Sequence, residues 1–128
     1  MTRLSRLLAA ALLLVGGAVH LQLWRNGYRY LPYVGPMFLG NVAASVMVAV
    51  ALSARRDRWA ALAGLALAAG SLAALALSRT IGIAGFMEPG LSAAALRTIA
   101  AETGALVALG VAITAGSPRP APVVVRPW

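Results

Sequence analysis

Few side chains in this sequence could do chemistry, and the most informative are one imidazole and two carboxylates. His20 is the single histidine, and Glu88 and Glu102 are two of the three acidic residues. Imidazole titrates near neutral pH, whereas a carboxylate in hydrocarbon is costly unless it is paired or protonated. Groups of this kind, placed inside apolar sequence, favour proton exchange or the binding of a ligand with a polar group.

The spacing of these residues from flanking arginines predicts that they lie at similar depth. His20 lies five residues before Arg25, and Glu102 lies five residues after Arg97. If both arginines are near lipid headgroups, each residue is about 7.5 Å deeper at the rise of an α-helix. Asn41 is about 10 Å below the start of its own apolar run by the same rise. The candidate ligand or proton site at this end comprises His20, Asn41, Arg79, Glu88 and Glu102.

Two interpretations of the buried carboxylate remain open. In the functional interpretation, Glu102 is a titrating carboxylate and His20 is its proton partner. In the structural interpretation, a His20–Glu102 or Arg79–Glu102 pair is a static polar clasp that fixes the order of the helices. Both require Glu102 to face the interior of a helical bundle.

The other polar candidates also have two interpretations. Asn41 and Ser45 are four residues apart and favour hydrogen bonds between helices over ligand binding. Glu88 precedes Pro89 and Gly90, so it is either a solvated turn residue or a group that closes over the site. One imidazole and two carboxylates could bind a divalent metal, but their spacing does not indicate one. We therefore predict no metal and no cofactor.

The elements that position these groups are four apolar runs. The chain has 128 residues, of which 61% are hydrophobic and 11% charged, and its mean hydropathy is +0.84. A soluble domain has about a quarter of its residues charged, so this composition indicates an integral membrane protein. A spanning helix needs about 20 apolar residues. We predict an all-α, four-helix transmembrane bundle over residues 1–115, with helices at 4–24, 34–53, 59–77 and 93–115, and a proline-rich cytoplasmic tail at 116–128.

The arginines predict the orientation of the bundle. Seven lie in the N-terminus, the second loop and the tail, and four lie in the other two loops. By the positive-inside rule both termini are cytoplasmic, and the protein is a multi-pass protein of the cell membrane. The first run is predicted to be an uncleaved signal anchor, with a cleaved signal peptide as the alternative. The aromatic residues of the first loop, Trp24, Tyr28, Tyr30 and Tyr33, are predicted to form an interfacial belt.

Several function classes are excluded or disfavoured. The net charge is +8, but no basic face with interleaved aromatic residues indicates nucleic-acid binding. The absence of cysteine excludes thiolate chemistry and cysteine-bound metals. One histidine cannot supply bis-histidine haem ligation within a subunit. There is no phosphate-binding loop, nucleophile elbow or HExxH motif, so we do not favour an enzyme.

The stretches HLQLW, RNGYRYLPYVGPMFLGN and SRTIGIAGFMEP resemble a loosely defined, largely uncharacterised group of small four-helix membrane proteins common in actinobacteria. The resemblance covers roughly half of the chain and implies the four-helix fold. The size of the chain and its intramembrane glutamate also resemble small multidrug-resistance transporters. Those proteins carry their essential glutamate on the first helix, where this chain has none.

The favoured function is a non-enzymatic accessory or structural subunit of a membrane complex. Helices rich in Ala and Gly allow close contact with other helices, so the expected partners are the bilayer and other membrane subunits or a second copy. The alternative is a small proton-coupled transporter or ligand-binding membrane protein that uses the His/Glu/Arg cluster in the outer leaflet. A further alternative is an oxidoreductase accessory that binds quinone near His20 and the tyrosines.

Overall fold

Four long α-helices make up almost all of the structure, a computed structural model that describes residues 2–54 and 58–115. They are α1 (Arg3–Arg25), α2 (Val34–Ala54), α3 (Arg58–Thr80) and α4 (Ala93–Ala115). Each is long and apolar enough to cross a membrane. The predicted all-helical fold with four helices is therefore confirmed. Insertion in a membrane and the orientation of the termini stay predictions. The predicted tail at 116–128 and the turn at 55–57 lie outside the described residues.

Short polar side chains begin two of the helices. The Thr2 hydroxyl accepts a hydrogen bond from the Ser5 backbone N–H at 3.2 Å, before α1. The Ser92 hydroxyl accepts one from the Ala95 N–H at 3.1 Å, so Ser92 caps α4. Such caps satisfy N–H groups that have no partner within the helix.

The bundle is held together by small side chains. α1 packs against α2 and α4, and α3 packs against α4 and, less closely, against α2. At Gly64 of α3, a Cβ would lie only 2.8 Å from Leu109 Cδ1 of α4, so the two helices approach closely there. Alanine and leucine supply the buried core, which comprises Ala9, Ala10, Leu13, Ala49, Leu52, Ala60, Ala61, Ala68, Ala105 and Leu109. Small residues favour close packing of helices in lipid, where apolar surface alone gives no drive to associate.

A buried arginine joins α1 to the end of α2. Arg6 is only 5% exposed, and its Nη1 donates a hydrogen bond to the Leu52 carbonyl oxygen at 3.0 Å. The last carbonyl groups of a helix have no partner within it, so this contact satisfies one of them. The sequence analysis used Arg6 only as one of the arginines that predict the orientation of the bundle. The structure shows that Arg6 also takes part in helix packing.

The loop between α3 and α4 folds back over the bundle. Ile83 and Phe86 exchange two backbone hydrogen bonds of 2.8 Å around a turn in which Ala84 and Gly85 have positive φ. The Glu88 N–H then donates to the Ser78 carbonyl oxygen at 2.9 Å. These contacts place the loop above the C-terminal ends of α1 and α3 and the N-terminal ends of α2 and α4. We call this the site end of the bundle.

Candidate functional site

A cavity of about 370 Å³ lies between α2 and α3 at the site end, and we call it the cleft. Its walls are mostly apolar and include Met37 and Phe38 of α2 and Leu67 of α3. Its polar groups come from several elements: His20, Asn41, Ser71, Ser78, Glu88, Ser92 and Thr98. Apolar walls with a few convergent polar groups are typical of small-molecule sites.

His20 presents one ring nitrogen towards α3. Its Nδ1 lies 2.8 Å from the Gly16 carbonyl oxygen, one helical turn earlier in α1. A carbonyl oxygen can only accept, so Nδ1 carries the hydrogen and Nε2 is the acceptor of the neutral ring. The Ser71 hydroxyl lies 3.4 Å from Nε2 and can donate to it. His20 is 7% exposed, so packing and these two contacts fix the orientation of its ring.

Glu102 lies directly below His20, on α4. Its side chain is 1% exposed, and its carboxyl packs against α1 at Gly16, where an added Cβ would lie 2.7 Å from Oε1. Among the described residues neither carboxyl oxygen has a hydrogen-bond partner with good geometry, although Ser71 is close enough to act on the group. A buried carboxyl without such partners carries a large desolvation cost in its charged form.

The residues proposed for a polar clasp are not joined to one another. Within residues 2–54 and 58–115, no hydrogen bond or ion pair connects Glu102 to His20 or to Arg79. Arg79 is half-buried, does not line the cleft, and has one buried nitrogen, Nη1, that finds no hydrogen-bond partner in those residues. The helices are therefore ordered by packing around Glu102 and not by a direct clasp.

Asn41 lines the cleft, but its hydrogen bond is local. The Ser45 hydroxyl donates to Asn41 Oδ1 at 3.3 Å within α2. The pair was expected to join different helices, and this contact stays within one. Ser45 is 1% exposed because it packs on Gly17 of α1, where an added Cβ would lie 2.9 Å from Ser45 Cβ.

Three aromatic rings and Glu88 form a roof over His20. The Tyr28 hydroxyl donates to Glu88 Oε2 at 2.8 Å. The centre of the Tyr28 ring lies 4.9 Å from that of Phe38 and 5.4 Å from that of Phe86. The rings of Phe38 and His20 meet edge to face, with their centres 5.2 Å apart and their planes at 86°. We call Tyr28, Phe38, Phe86 and Glu88 the roof.

The contacts of the roof bear on two interpretations made from the sequence, those of Tyr28 and Glu88. Tyr28 is half-buried and donates to Glu88, whereas Tyr30 and Tyr33 are exposed, and the interfacial belt stays a prediction. Of the two interpretations left open for Glu88, its hydrogen bond to Tyr28 and its place in the lining of the cleft favour a group that closes over the site. Burial, and then the hydrogen bond to Glu88, raise the pKa of Tyr28 to about 12. The phenol therefore remains a hydrogen-bond donor across the physiological range.

The structure gathers part of the predicted set and adds residues that were not predicted. His20, Asn41 and Glu88 line the cleft, Glu102 lies beneath it, and Arg79 lies outside it. In the described part of the chain, no three His, Cys, Asp or Glu residues form a group that could hold a metal ion. The sequence analysis did not identify Ser71, nor the contribution of Phe38, Phe86 and Gly16. The four-residue spacing of Gly16 and His20 is the one signal that pointed to their contact.

The fold and the cleft define a small all-helical protein whose four helices can each cross a membrane. Comparison of the chain with protein-family models, with curated proteins and with solved structures finds no match. The resemblance to small four-helix membrane proteins thus stays an expectation, and function has to be argued from the site itself.

Proposed function

We propose that this protein binds a lipid-soluble small molecule in the cleft between α2 and α3. The observation that supports the proposal most is the cleft itself, a mostly apolar space of about 370 Å³ whose lining includes the polar side chains of His20, Asn41 and Ser71. Apolar walls accommodate a hydrophobic body, and a few polar atoms orient it.

Two glycines keep the cleft open. Gly40 of α2 and Gly70 of α3 both line it, and a Cβ added to either would meet no atom within 4 Å. Both residues are also exposed, so this part of the cleft faces the surroundings of the bundle. In a bilayer, those surroundings are lipid. A lipid-soluble ligand would therefore reach the site sideways, between α2 and α3, without crossing water.

The groups beneath the cleft offer a route for a proton. Ser71 can donate to His20 Nε2, and it lies close enough to Glu102 to donate to that carboxyl instead. A ligand that bonds to His20 or Ser71 would change the partners available to Glu102. This arrangement favours a protein in which ligand binding is linked to the protonation of Glu102, as in a small proton-coupled transporter.

The accessory-subunit function is the second candidate. It is supported by the outer surface of α4, where Val107 and Val111 are about 60% exposed and Gly110 has open space beside it. Small and β-branched residues on such a face allow another membrane helix to pack closely. Under this candidate, partner chains would be extracted together with the protein and the cleft would have no resident ligand.

Single cysteines test the proposed ligand site cleanly, because the chain has none of its own. Ala74→Cys places a thiol in the cleft, and Leu96→Cys places one on the exposed surface of α4 as the matched control. The rate of modification by N-ethylmaleimide is measured on gently extracted protein and again after its lipids have been stripped by detergent washing.

We expect stripping to accelerate modification at position 74 severalfold and to leave position 96 unchanged, because a resident molecule shields only the cleft. Equal rates at position 74 before and after stripping, with no small molecule released, would contradict ligand binding. Stable partner chains in the same preparation would then favour the accessory subunit.

A further inference from the structure

We infer that the ligand of the cleft is an organic cation, a lipid-soluble molecule whose positively charged group lies against Glu88 and the aromatic roof. This inference rests on the proposed function and adds the chemical class of the ligand. It follows from the charges and rings that line the cleft.

The charge of the cleft is opposite to that of the chain as a whole. The sequence has 11 arginines, no lysine and a net charge of +8. Among the residues described as lining the cleft there is no arginine, and the one acidic residue is Glu88. In a space with low-dielectric walls, a carboxylate with no cation among the described residues that line that space makes a strong local field. An incoming cation would supply the missing partner.

Glu88 has capacity to bind such a cation. Its Oε2 accepts from the Tyr28 hydroxyl at 2.8 Å, and its backbone N–H donates to the Ser78 carbonyl oxygen at 2.9 Å. These two contacts fix the position of the residue. They leave Oε1 and further lone pairs of the carboxylate available.

The neighbouring rings suit the same kind of ligand. Phe38 and Phe86 both line the cleft, and both pack on Tyr28. The negative face of an aromatic ring attracts a cation, and the attraction grows when the pair is removed from water. Aromatic rings beside a carboxylate therefore bind organic cations that have few hydrogen-bond donors.

An anionic or a neutral ligand fits these groups less well. An anion would lie near the Glu88 carboxylate and would meet no arginine in the described lining of the cleft. The Nδ1–H of His20, a donor that could have served an anion, is already bonded to Gly16. A neutral ligand would gain hydrogen bonds from Asn41 and Ser71, but nothing from the field of Glu88.

Two ions of matched shape and opposite charge test the inference. Tetraphenylphosphonium and tetraphenylborate are titrated into the purified, lipid-stripped protein in a neutral detergent, and binding is measured by equilibrium dialysis against protein-free micelles. The overall charge of +8 favours the borate, so a preference for the phosphonium must come from the site.

Three variants are measured beside the wild type. Glu88→Gln removes the charge and keeps an acceptor for Tyr28, so the roof retains its hydrogen bond. Asp57→Asn removes one negative charge at a position distant in the sequence and is the control. Gly70→Leu fills the cleft.

We expect saturable phosphonium binding by the wild type and by Asp57→Asn, and an affinity reduced roughly tenfold or more by Glu88→Gln, as when a desolvated charge pair loses one member. Gly70→Leu should abolish the binding. If phosphonium and borate bind equally, or Glu88→Gln has no effect while Gly70→Leu still abolishes binding, the cleft binds ligands but the cation inference is wrong. If the Gly70→Leu protein binds both ions like the wild type, the cleft is not their site, and both the inference and the proposed function are contradicted.

Discussion

Two adjacent glycines of α1 give a sharp test of the packing around the site. Gly16 and Gly17 are both buried, and they face different helices. A Cβ at Gly16 would lie 2.7 Å from Glu102 Oε1 on α4. A Cβ at Gly17 would lie 2.9 Å from Ser45 Cβ and 3.8 Å from the Val42 Cα on α2. Replacement of each by alanine therefore makes the same chemical change against two different neighbours.

The structure predicts different consequences for stability. At Gly17 the new methyl group meets the base of a side chain fixed to the α2 backbone, so α1 and α2 must separate. Such overpacking costs about 1–3 kcal/mol. Alanine regains up to about 1 kcal/mol of helix propensity, so we expect Gly17→Ala to reduce the free energy of unfolding by about 1 kcal/mol, and by at most about 2.

At Gly16 the new methyl group meets the far end of a flexible side chain. The Glu102 carboxyl can rotate away, and the same gain in propensity offsets the cost of its movement. We expect Gly16→Ala to change the free energy of unfolding by less than about 0.5 kcal/mol. It should still weaken ligand binding, because it displaces the carboxyl from beneath the cleft.

The assay is equilibrium unfolding of both variants in mixed micelles, followed by circular dichroism while the fraction of denaturing detergent rises. A second-site change provides the control: Ser45→Gly removes the Cβ that opposes Gly17 and should couple favourably with Gly17→Ala by about 1 kcal/mol in a double-mutant cycle. The packing would be refuted if Gly17→Ala were as stable as Gly16→Ala, or if Ser45→Gly showed no coupling to it.

Three further results are expected at the site end of the bundle. Tyr28→Phe removes the hydroxyl that donates to Glu88, so hydrogen exchange at the Glu88 N–H should accelerate several-fold, as expected for a hydrogen bond worth about 1 kcal/mol. Glu88→Gln keeps an acceptor for Tyr28, so the exchange rate at that N–H should change less. Because the pKa of Tyr28 is raised from 10.0 to about 12, the contribution of Tyr28 to stability should be complete below pH 10 and be lost between pH 10 and about 12. Unfolding measured across that pH range should show this loss in the wild type and not in Tyr28→Phe. Gly35→Ala should destabilise the fold by about 1–3 kcal/mol, because its Cβ would lie 2.8 Å from the Tyr28 carbonyl oxygen, whereas Gly40→Ala, which meets nothing within 4 Å, should be neutral or stabilising.

The sequence predicted the helices because they depend on local properties. Long apolar runs, separated by turn residues and arginines, can form little other than helices in lipid, where every backbone polar group must be satisfied internally. The cap at Ser92 follows from the same local logic. The inward position of Glu102 follows from the cost of a carboxylate in hydrocarbon, which is independent of the partner helix.

The contacts of the site could not be predicted in the same way. Tyr28 meets Glu88 across 60 residues, because a turn with positive φ at Ala84 and Gly85 brings the loop back over the bundle. Composition suggests a membrane belt for that tyrosine equally well. Ser71 lies among alanines and glycines that indicate only close packing, and its position beside His20 depends on how α1 and α3 are rotated. Arg79 has the charge to bind Glu102, but it does not reach it.

The most direct test of the account is a native mass spectrum of the protein, extracted gently from its own membrane. The wild type is compared with Gly70→Leu, which fills the cleft, and with Gly110→Leu, which adds the same side chain to the open outer face of α4. We expect a bound small molecule in the wild type and in Gly110→Leu, and its loss in Gly70→Leu. A bare chain in all three proteins, or a bound molecule that Gly70→Leu retains, would contradict ligand binding in the cleft.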